Sequence, residues 1–257
     1  MKFAVLSDIH SNSFALEAVI DDARKRGINR FVNLGDTLYG PIEPARTWQL
    51  LEALEDVQHI RGNQDRQIYE ARPEEITANP TLAFILDILP QAAMDWLLRL
   101  PFDLRLEQAL YLCHGSPSDD LIYLLENVEN GSPRVRGDRE ILSLLDGRQE
   151  AMILCGHTHI PRIVYLSTGQ RIINPGSVGL PAYSDDVPLP HVMENFAPLA
   201  RYAVLEKRQD AAPATESWQA ELISVSYDAE SAAALAEQNG REDWAHALRT
   251  GRVRQRR

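Results

Sequence analysis

The sequence predicts a mixed α/β (α+β) fold with two sheets covered by helices, and three observations carry that expectation. Short unbroken apolar runs alternate with amphipathic stretches through the first 60 residues, a βαβαβ pattern. Further short apolar runs, separated by turn signals, follow beyond residue 100. The composition is 44% hydrophobic and 25% charged over 257 residues, that of a globular chain long enough for one large domain with a well-buried core.

Phe3-Ala4-Val5-Leu6 reads as a strand buried on both faces, and Asn12-Ser13 then caps an amphipathic helix to about Arg26. Phe31-Val32-Asn33-Leu34 repeats the strand pattern before Gly35-Asp36. Residues 48–54 read as the next helix, and 57–60 as a third strand ending at Arg61-Gly62-Asn63. From about 66 to 100 the pattern is helical but punctuated by Pro73, Pro80 and Pro90, which predicts several short helices, a small cap over the core. Residues 103–113 alternate and then turn apolar, as a hairpin would in delivering His114-Gly115-Ser116 to a strand end. Residues 118–138 lack clear periodicity. A helix over 139–145 precedes a buried strand, Met152 to Cys155, that closes in Gly156-His157-Thr158-His159. Residues 162–166, 171–173, 202–205 and 220–226 read as strands of a second, more antiparallel half. Asp228 caps an Ala-rich helix reaching about Asn239-Gly240, part of a C-terminal helical extension at about 228–250. The whole, 1–257, is expected to be a single domain, with a basic tail from Arg252.

Against 26 Lys+Arg stand 37 Asp+Glu, a net charge of −11. Such a surface repels nucleic-acid backbones and anionic membranes, so neither is expected as a partner through bulk charge. A phosphate-bearing substrate must then be met by local positive charge, from arginines, a helix N-terminus or bound metal. Cys113 and Cys155 lie inside apolar runs, which suits a reducing compartment. Ser7 and Asp8 interrupt the opening apolar run too early for a secretory leader. The most apolar window, 82–86, is cut by Asp87 and Pro90, far short of the roughly 20 residues that span a bilayer. A cytoplasmic protein without a membrane segment is the expectation.

Four of the seven histidines fall at strand ends: His10, His114, His157 and His159. Asp8/His10 and His157/His159 are spaced by two, which in extended backbone puts each pair on one side. Asp36 and Asn63 end the second and third strands and add oxygen ligands. Two carboxylates, four imidazoles and one amide are too many for one tetrahedral zinc but suit two divalent ions bridged by a carboxylate. Such a pair, about 3.5–4 Å apart, turns water into hydroxide near neutral pH and clamps phosphoryl oxygens during in-line attack. Each motif alone has a plainer reading: Asp-x-His as a cap, Gly-Asp and Gly-Asn as turns. Five of them in order, each terminating a separate apolar run, weigh against coincidence.

Asp8-Ile9-His10, Gly35-Asp36, Gly62-Asn63-Gln64-Asp65, His114-Gly115 and Gly156-His157-Thr158-His159 together resemble the calcineurin-like metallophosphoesterase superfamily over roughly the first 180 residues. Asn174-Pro175-Gly176-Ser177-Val178-Gly179, with Gly35 to Pro41, looks like its compact bacterial and archaeal branch of small phosphodiesterases and diadenosine-tetraphosphatase-like proteins. The resemblance implies a two-sheet β-sandwich flanked by helices, with metals at one edge. It implies that Asp8, His10 and His159 hold one ion, that Asn63, His114 and His157 hold the other, and that Asp36 bridges. The ligand mixture suits Mn, Fe or Zn.

Two departures bear on the substrate. Where the family usually has a histidine after Gly-Asn, thought to protonate the leaving group, this chain has Gln64, which cannot supply general-acid catalysis. Tyr39-Gly40 stands where protein phosphatases carry Asp-Arg. Both favour a phosphodiester or phosphoanhydride, such as a dinucleoside polyphosphate, over a phosphomonoester or a phosphoprotein. A non-catalytic scaffold of the same fold is the reading from another class, and the intact ligand set argues against it. A small phosphorylated substrate, in some form a nucleotide, is thus the expected partner, and a homo-oligomer is compatible with it. Arg61 matches an arginine that contacts phosphate in relatives, or serves a surface salt bridge; with Asp36, Asn63 and Gln64 it completes the candidate catalytic set. Plainer roles fit the remaining residues: core packing for Cys113 and Cys155, structural or solvated positions for His59, His191 and His246, and packing or base stacking for Tyr39 and Tyr123. Leu180 to Leu199, with four prolines and no periodicity, follows directly on Gly176 to Gly179, which the resemblance places beside the metals. It is expected to be either a lid or subunit-contact loop, or an insertion without fixed structure.

Overall fold

A computed structural model describes residues 1–208 and 218–254. The opening follows the sequence pattern: β1 (Lys2–Leu6), α1 (Ser13–Lys25), β2 (Arg30–Asn33), α2 (Pro44–Glu52) and β3 (Asp56–His59). The Asn12 side chain caps α1 by accepting from the Ala15 N–H at 3.1 Å. Helix α2 starts four residues before its amphipathic stretch because Pro44, with φ preset and no N–H to satisfy, opens the first turn. Four short helices follow: α3 (Asn63–Glu70), α4 (Pro73–Ala78), α5 (Pro80–Ile88) and α6 (Gln91–Arg99). After them come β4 (Leu104–Leu106), β5 (Leu110–Leu112), β6 (Glu126–Glu129), β7 (Ser132–Val135), α7 (Asp138–Leu144), β8 (Met152–Leu154), β9 (Arg162–Tyr165) and β10 (Arg171–Asn174). The chain continues through β11 (Ala182–Asp185), β12 (His191–Glu194), β13 (Ala200–Lys207), β14 (Trp218–Val225), α8 (Ala229–Gln238) and α9 (Glu242–Thr250).

Two five-stranded sheets form the body, ordered β14-β13-β1-β2-β3 and β4-β5-β8-β10-β9. β1, β2 and β3 run parallel, as do β5, β8 and β10. β1 shows how the sheets pack. Phe3 and Val5 point to a core shared with Leu110, Leu112, Met152, Leu154 and Ile173 of the second sheet, while Ala4 and Leu6 face the helices. Leu82 and Ile85 of α5 and Ala93, Trp96 and Leu97 of α6 join that helix-side cluster with residues of α1, α8 and α9. On the far face of the second sheet, Tyr111, Cys113, Ile153 and Cys155 pack with Ile141 and Leu145. The period-two alternation of short strands thus builds a sandwich with helices on both outer faces. Among the described residues no single helix is long and apolar enough to cross a membrane.

Three sequence expectations need correction. The strands read at 202–205 and 220–226 do not belong to the second half: β13 pairs antiparallel with β1, Phe3 opposite Leu205, and carries β14 onto the first sheet's edge. Pairing partners 200 residues apart leave no local trace. Residues 118–138 contain the β6–β7 hairpin, turned by Asn130-Gly131 with φ of 51° and 77°, a signal for a two-residue turn. Leu180 to Leu199 is not structureless, since it folds as the β11–β12 hairpin with Ala182 opposite Glu194. Met193, fully buried with Tyr123 and Val128, anchors it, and its prolines sit outside the paired residues. After Gly240 the chain turns back into α9, and Gly251 closes it in left-handed backbone at φ 66°.

Candidate metal centre

The loops following β1, β2, β3, β5 and β8 meet at the carboxyl ends of these strands and bring the seven candidate ligands together. Asp8, His10 and His159 form one group, and Asp36, His114 and His157 a second, all buried or nearly so. Asn63 joins the second group, its Oδ1 3.0 Å from His114 Nε2. His114 Nε2 also lies 3.4 Å from Asp36 Oδ2, and His159 Nε2 3.3 Å from Asp8 Oδ1.

Convergence does not come from extended backbone, as the spacing of two suggests. Asp8, His10, Asp36, His157 and His159 all have positive φ, between 50° and 69°. Left-handed backbone at five non-glycine residues carries strain that the surrounding fold must sustain, a pattern concentrated at functional sites. Two glycines permit the close packing of these loops: a Cβ on Gly62 would overlap Asp36 Oδ1, and one on Gly156 would overlap Ser7 Oγ.

Each imidazole is oriented by a backbone carbonyl. His10 Nδ1 donates to Tyr39 O at 3.0 Å, His114 Nδ1 to Leu34 O at 2.8 Å, and His159 Nδ1 to Leu180 O at 2.7 Å. His157 differs in using Nε2, 3.2 Å from Leu121 O, which leaves its Nδ1 for the site. These bonds turn the second nitrogen of each ring inward, the outer-shell pattern of metal-binding histidines. The consequence is electrostatically unfavourable without a cation. His10 Nε2 and His159 Nε2 face each other at 3.0 Å with both protons placed elsewhere, and the buried Asp8 Oδ1 has no hydrogen-bond partner. The other Asp8 oxygen accepts from Ser7 Oγ at 2.5 Å and from the His157 N–H at 3.1 Å. Burial opposes charge on Asp8 and Asp36, yet the neighbouring imidazoles hold both carboxyls below the usual range. Burial and His159 push His10 down to about 4, and burial and His114 do the same to His157. His114, by contrast, is raised to about 10 against burial because Asp36 adjoins it. The donor set demands positive charge in its midst, so divalent ions fit it.

Asp65, which sequence reasoning did not single out, ties two ligand loops together. Its buried carboxylate accepts from the N–H groups of Thr37 at 2.8 Å, Leu38 at 3.3 Å and Gly62 at 3.1 Å, fixing the Asp36 loop to the Asn63 loop. Burial and the Asp36 charge raise its pKa to about 6. Arg61 is engaged away from the ligands, with Nη1 donating to Tyr69 Oη at 3.3 Å and lying 3.7 Å from Asp120 Oδ2. Tyr39 and Tyr123 are buried, and Tyr123 Oη bonds His191 Nε2 at 3.0 Å. His59 packs edge-on against Trp96.

A cavity of about 880 Å³ opens over the ligands, with Gln64 at its floor and α9 and the β11–β12 hairpin as walls. Arg241, Trp244 and His246 line it from α9 and its N-cap. None of these stood out in the sequence, because an amphipathic C-terminal helix shows no sign of which residues it turns toward a site 200 residues upstream.

Comparison with known proteins agrees with this architecture. The calcineurin-like phosphoesterase superfamily domain matches residues 1–192. The chain belongs to that superfamily, and it is a hydrolase of phosphoric esters. The family typically binds divalent metals, for which the two ligand groups are the candidates. An uncharacterized protein of Methanocaldococcus jannaschii is 26% identical over 209 residues, 69% of this chain and 76% of that protein. The fold is similar to that of a metallophosphoesterase from Sphaerobacter thermophilus, with 21% identity, TM-score 0.70, and 95% and 100% of the two chains covered. It is also similar to a hypothetical protein of Pyrococcus horikoshii OT3, with 20% identity, TM-score 0.73, and 98% and 99% covered.

Proposed function

We propose that this chain acts as a single domain that hydrolyses phosphodiesters or phosphoanhydrides of nucleotide size through two divalent cations, Mn, Fe or Zn. Asp8, His10 and His159 would hold one ion, Asn63, His114 and His157 the other, with Asp36 shared. The observation that supports this most directly is the pair of inward-facing lone pairs on His10 and His159 beside the unpartnered Asp8 Oδ1. When bound, the cations supply the positive charge an acidic chain lacks and lower the pKa of a water near the scissile phosphorus. The protein's part is orientation. Backbone carbonyls hold the four rings, the Gln64 N–H donates to Asp36 Oδ1 at 2.8 Å, and Asp65 keeps the Asp36 and Asn63 loops in register.

The Gln64 side chain lines the cavity but has no proton to transfer to a departing alkoxide. Leaving groups that depart unaided, aryl oxides and phosphates, are therefore favoured, which supports the anhydride reading, while the diester reading rests on the likeness to relatives that lack this histidine. Arg61 is held beside Asp120 and Tyr69 through Nη1. Metal analysis of the purified protein, with turnover of bis-p-nitrophenyl phosphate and p-nitrophenyl phosphate, tests the reading. Two equivalents of metal and diester preference support it. Monoester preference would make the protein a phosphomonoesterase, and protein without metal or turnover would be a scaffold.

A further inference from the structure

The cavity is far larger than one phosphate needs, and its wall opposite the ligands carries an arginine whose surroundings are built. Arg241, the N-cap of α9, has a side chain only 25% exposed. Its Nε donates to Asp243 Oδ1 at 2.9 Å and its Nη2 to Asp243 Oδ2 at 2.7 Å, so one edge of the guanidinium is locked. Nη1 donates to Thr81 Oγ1 at 2.7 Å, and the group lies over the Trp244 ring, 5.2 Å from its centroid. The same indole packs edge-on against His10, with ring centroids 5.5 Å apart, so Arg241 is held at a fixed remove from the first ligand group. Three of the five guanidinium N–H bonds are used, which leaves one on each Nη. Two parallel donors on a rigid guanidinium match the oxygens of a phosphate. Arg254, paired with Glu242, lines the same cavity, as do His246, Asp185 and Asp243.

We propose that Arg241 is a specificity-determining residue that binds a second phosphate of the substrate, one that does not react, so that the preferred substrates are nucleotides carrying a phosphate in addition to the scissile diester or anhydride. This rests on the phosphodiester reading above. Asp243 and Thr81 orient the guanidinium, and the free fork takes the anion.

Two substrates sharing one scissile bond and one leaving group provide the test: thymidine 5′-(p-nitrophenyl phosphate) with and without a 3′-phosphate. In the metal-loaded enzyme, Arg241→Gln should raise KM for the 3′-phosphorylated substrate about tenfold more than for its partner, as expected for losing a charge-assisted fork. Arg241→Lys, keeping the charge without the fork, should fall between. Thr81→Val removes one of the bonds that orient Arg241 but keeps the guanidinium itself, so it should change the ratio of the two KM values less than Arg241→Gln does. An equal rise for both substrates with Arg241→Gln, or a Thr81→Val shift as large as that of Arg241→Gln, would overturn the role of Arg241 while leaving the diesterase reading intact. Wild-type enzyme that turns over neither diester but cleaves p-nitrophenyl phosphate would overturn the diesterase reading and this inference with it.

Discussion

The main-chain N–H of Gln64 donates to Asp36 Oδ1 at 2.8 Å, while the Gln64 side-chain oxygen is buried without a hydrogen-bond partner. The residue at the position where the family usually carries its acid therefore positions the Asp36 carboxylate through its backbone. Its side chain can be changed without breaking that bond.

Gln64→His should accordingly raise hydrolysis of alkyl phosphomonoesters more than that of bis-p-nitrophenyl phosphate. The gain is bounded by the roughly 10²-fold lower end of general-acid catalysis, since the imidazole would not be ideally placed. Steady-state kinetics on both substrates check it; equal changes would mean that position 64 does not face the leaving group.

Asp36→Asn should lower kcat by about 100-fold or more while the circular dichroism spectrum is kept. The carboxylate sits within 3.4 Å of His114 Nε2, and in the proposed arrangement it is shared by both ions. Near-normal turnover of the variant at limiting metal would sink the bridging assignment.

Chelation followed by gel filtration should abolish activity and lower Tm, because the ligand set has a buried orphan acceptor and opposed lone pairs that only a cation or proton satisfies. Readdition of Mn²⁺ or Zn²⁺ should restore both, and a Tm indifferent to chelation would contradict a metal centre.

Asn195→Ala should loosen the hairpin wall. Asn195 Nδ2 donates to His159 O at 2.9 Å and Pro181 O at 3.0 Å, tying the end of β12 to the loop of a candidate ligand. Loss of the two bonds should cost about 1–2 kcal/mol in urea unfolding and weaken metal affinity measured by competition with a chelator. An unchanged metal affinity would show that the wall is not coupled to the centre.

His59 predicts a pH dependence independent of the ligands. Burial lowers its pKa from 6.5 to about 4, so the folded protein keeps it neutral while the unfolded chain protonates. Its contribution is fully present above pH 6.5 and is lost as pH falls toward 4, in total about 3 kcal/mol. Urea unfolding at pH 7.5 and pH 5 should show a smaller loss of stability for His59→Phe than for wild type; equal losses would mean that His59 is hydrated in the fold.

Much of this protein is written locally. Alternating short apolar runs define β1 to β3 and β8, Asn12 and Asp228 define helix starts, and the ordered Asp, Asn and His residues at strand ends mark the candidate ligand set, since each depends on neighbours within a few residues. Other features depended on residues distant in the chain. β13 and β14 joined the first sheet because Leu205 finds its partner at Phe3, and no local pattern specifies a pairing across 200 residues. The five positive φ values occur at loops from both sheets that meet at one site, a meeting no local pattern specifies. Arg241 became part of the cavity wall because Trp244 packs on His10. Periodicity and capping are short-range physics and can be read from a chain, whereas which surfaces meet is decided only when apolar faces are buried together, and that burial, not any motif, placed α9 over the candidate metal ligands.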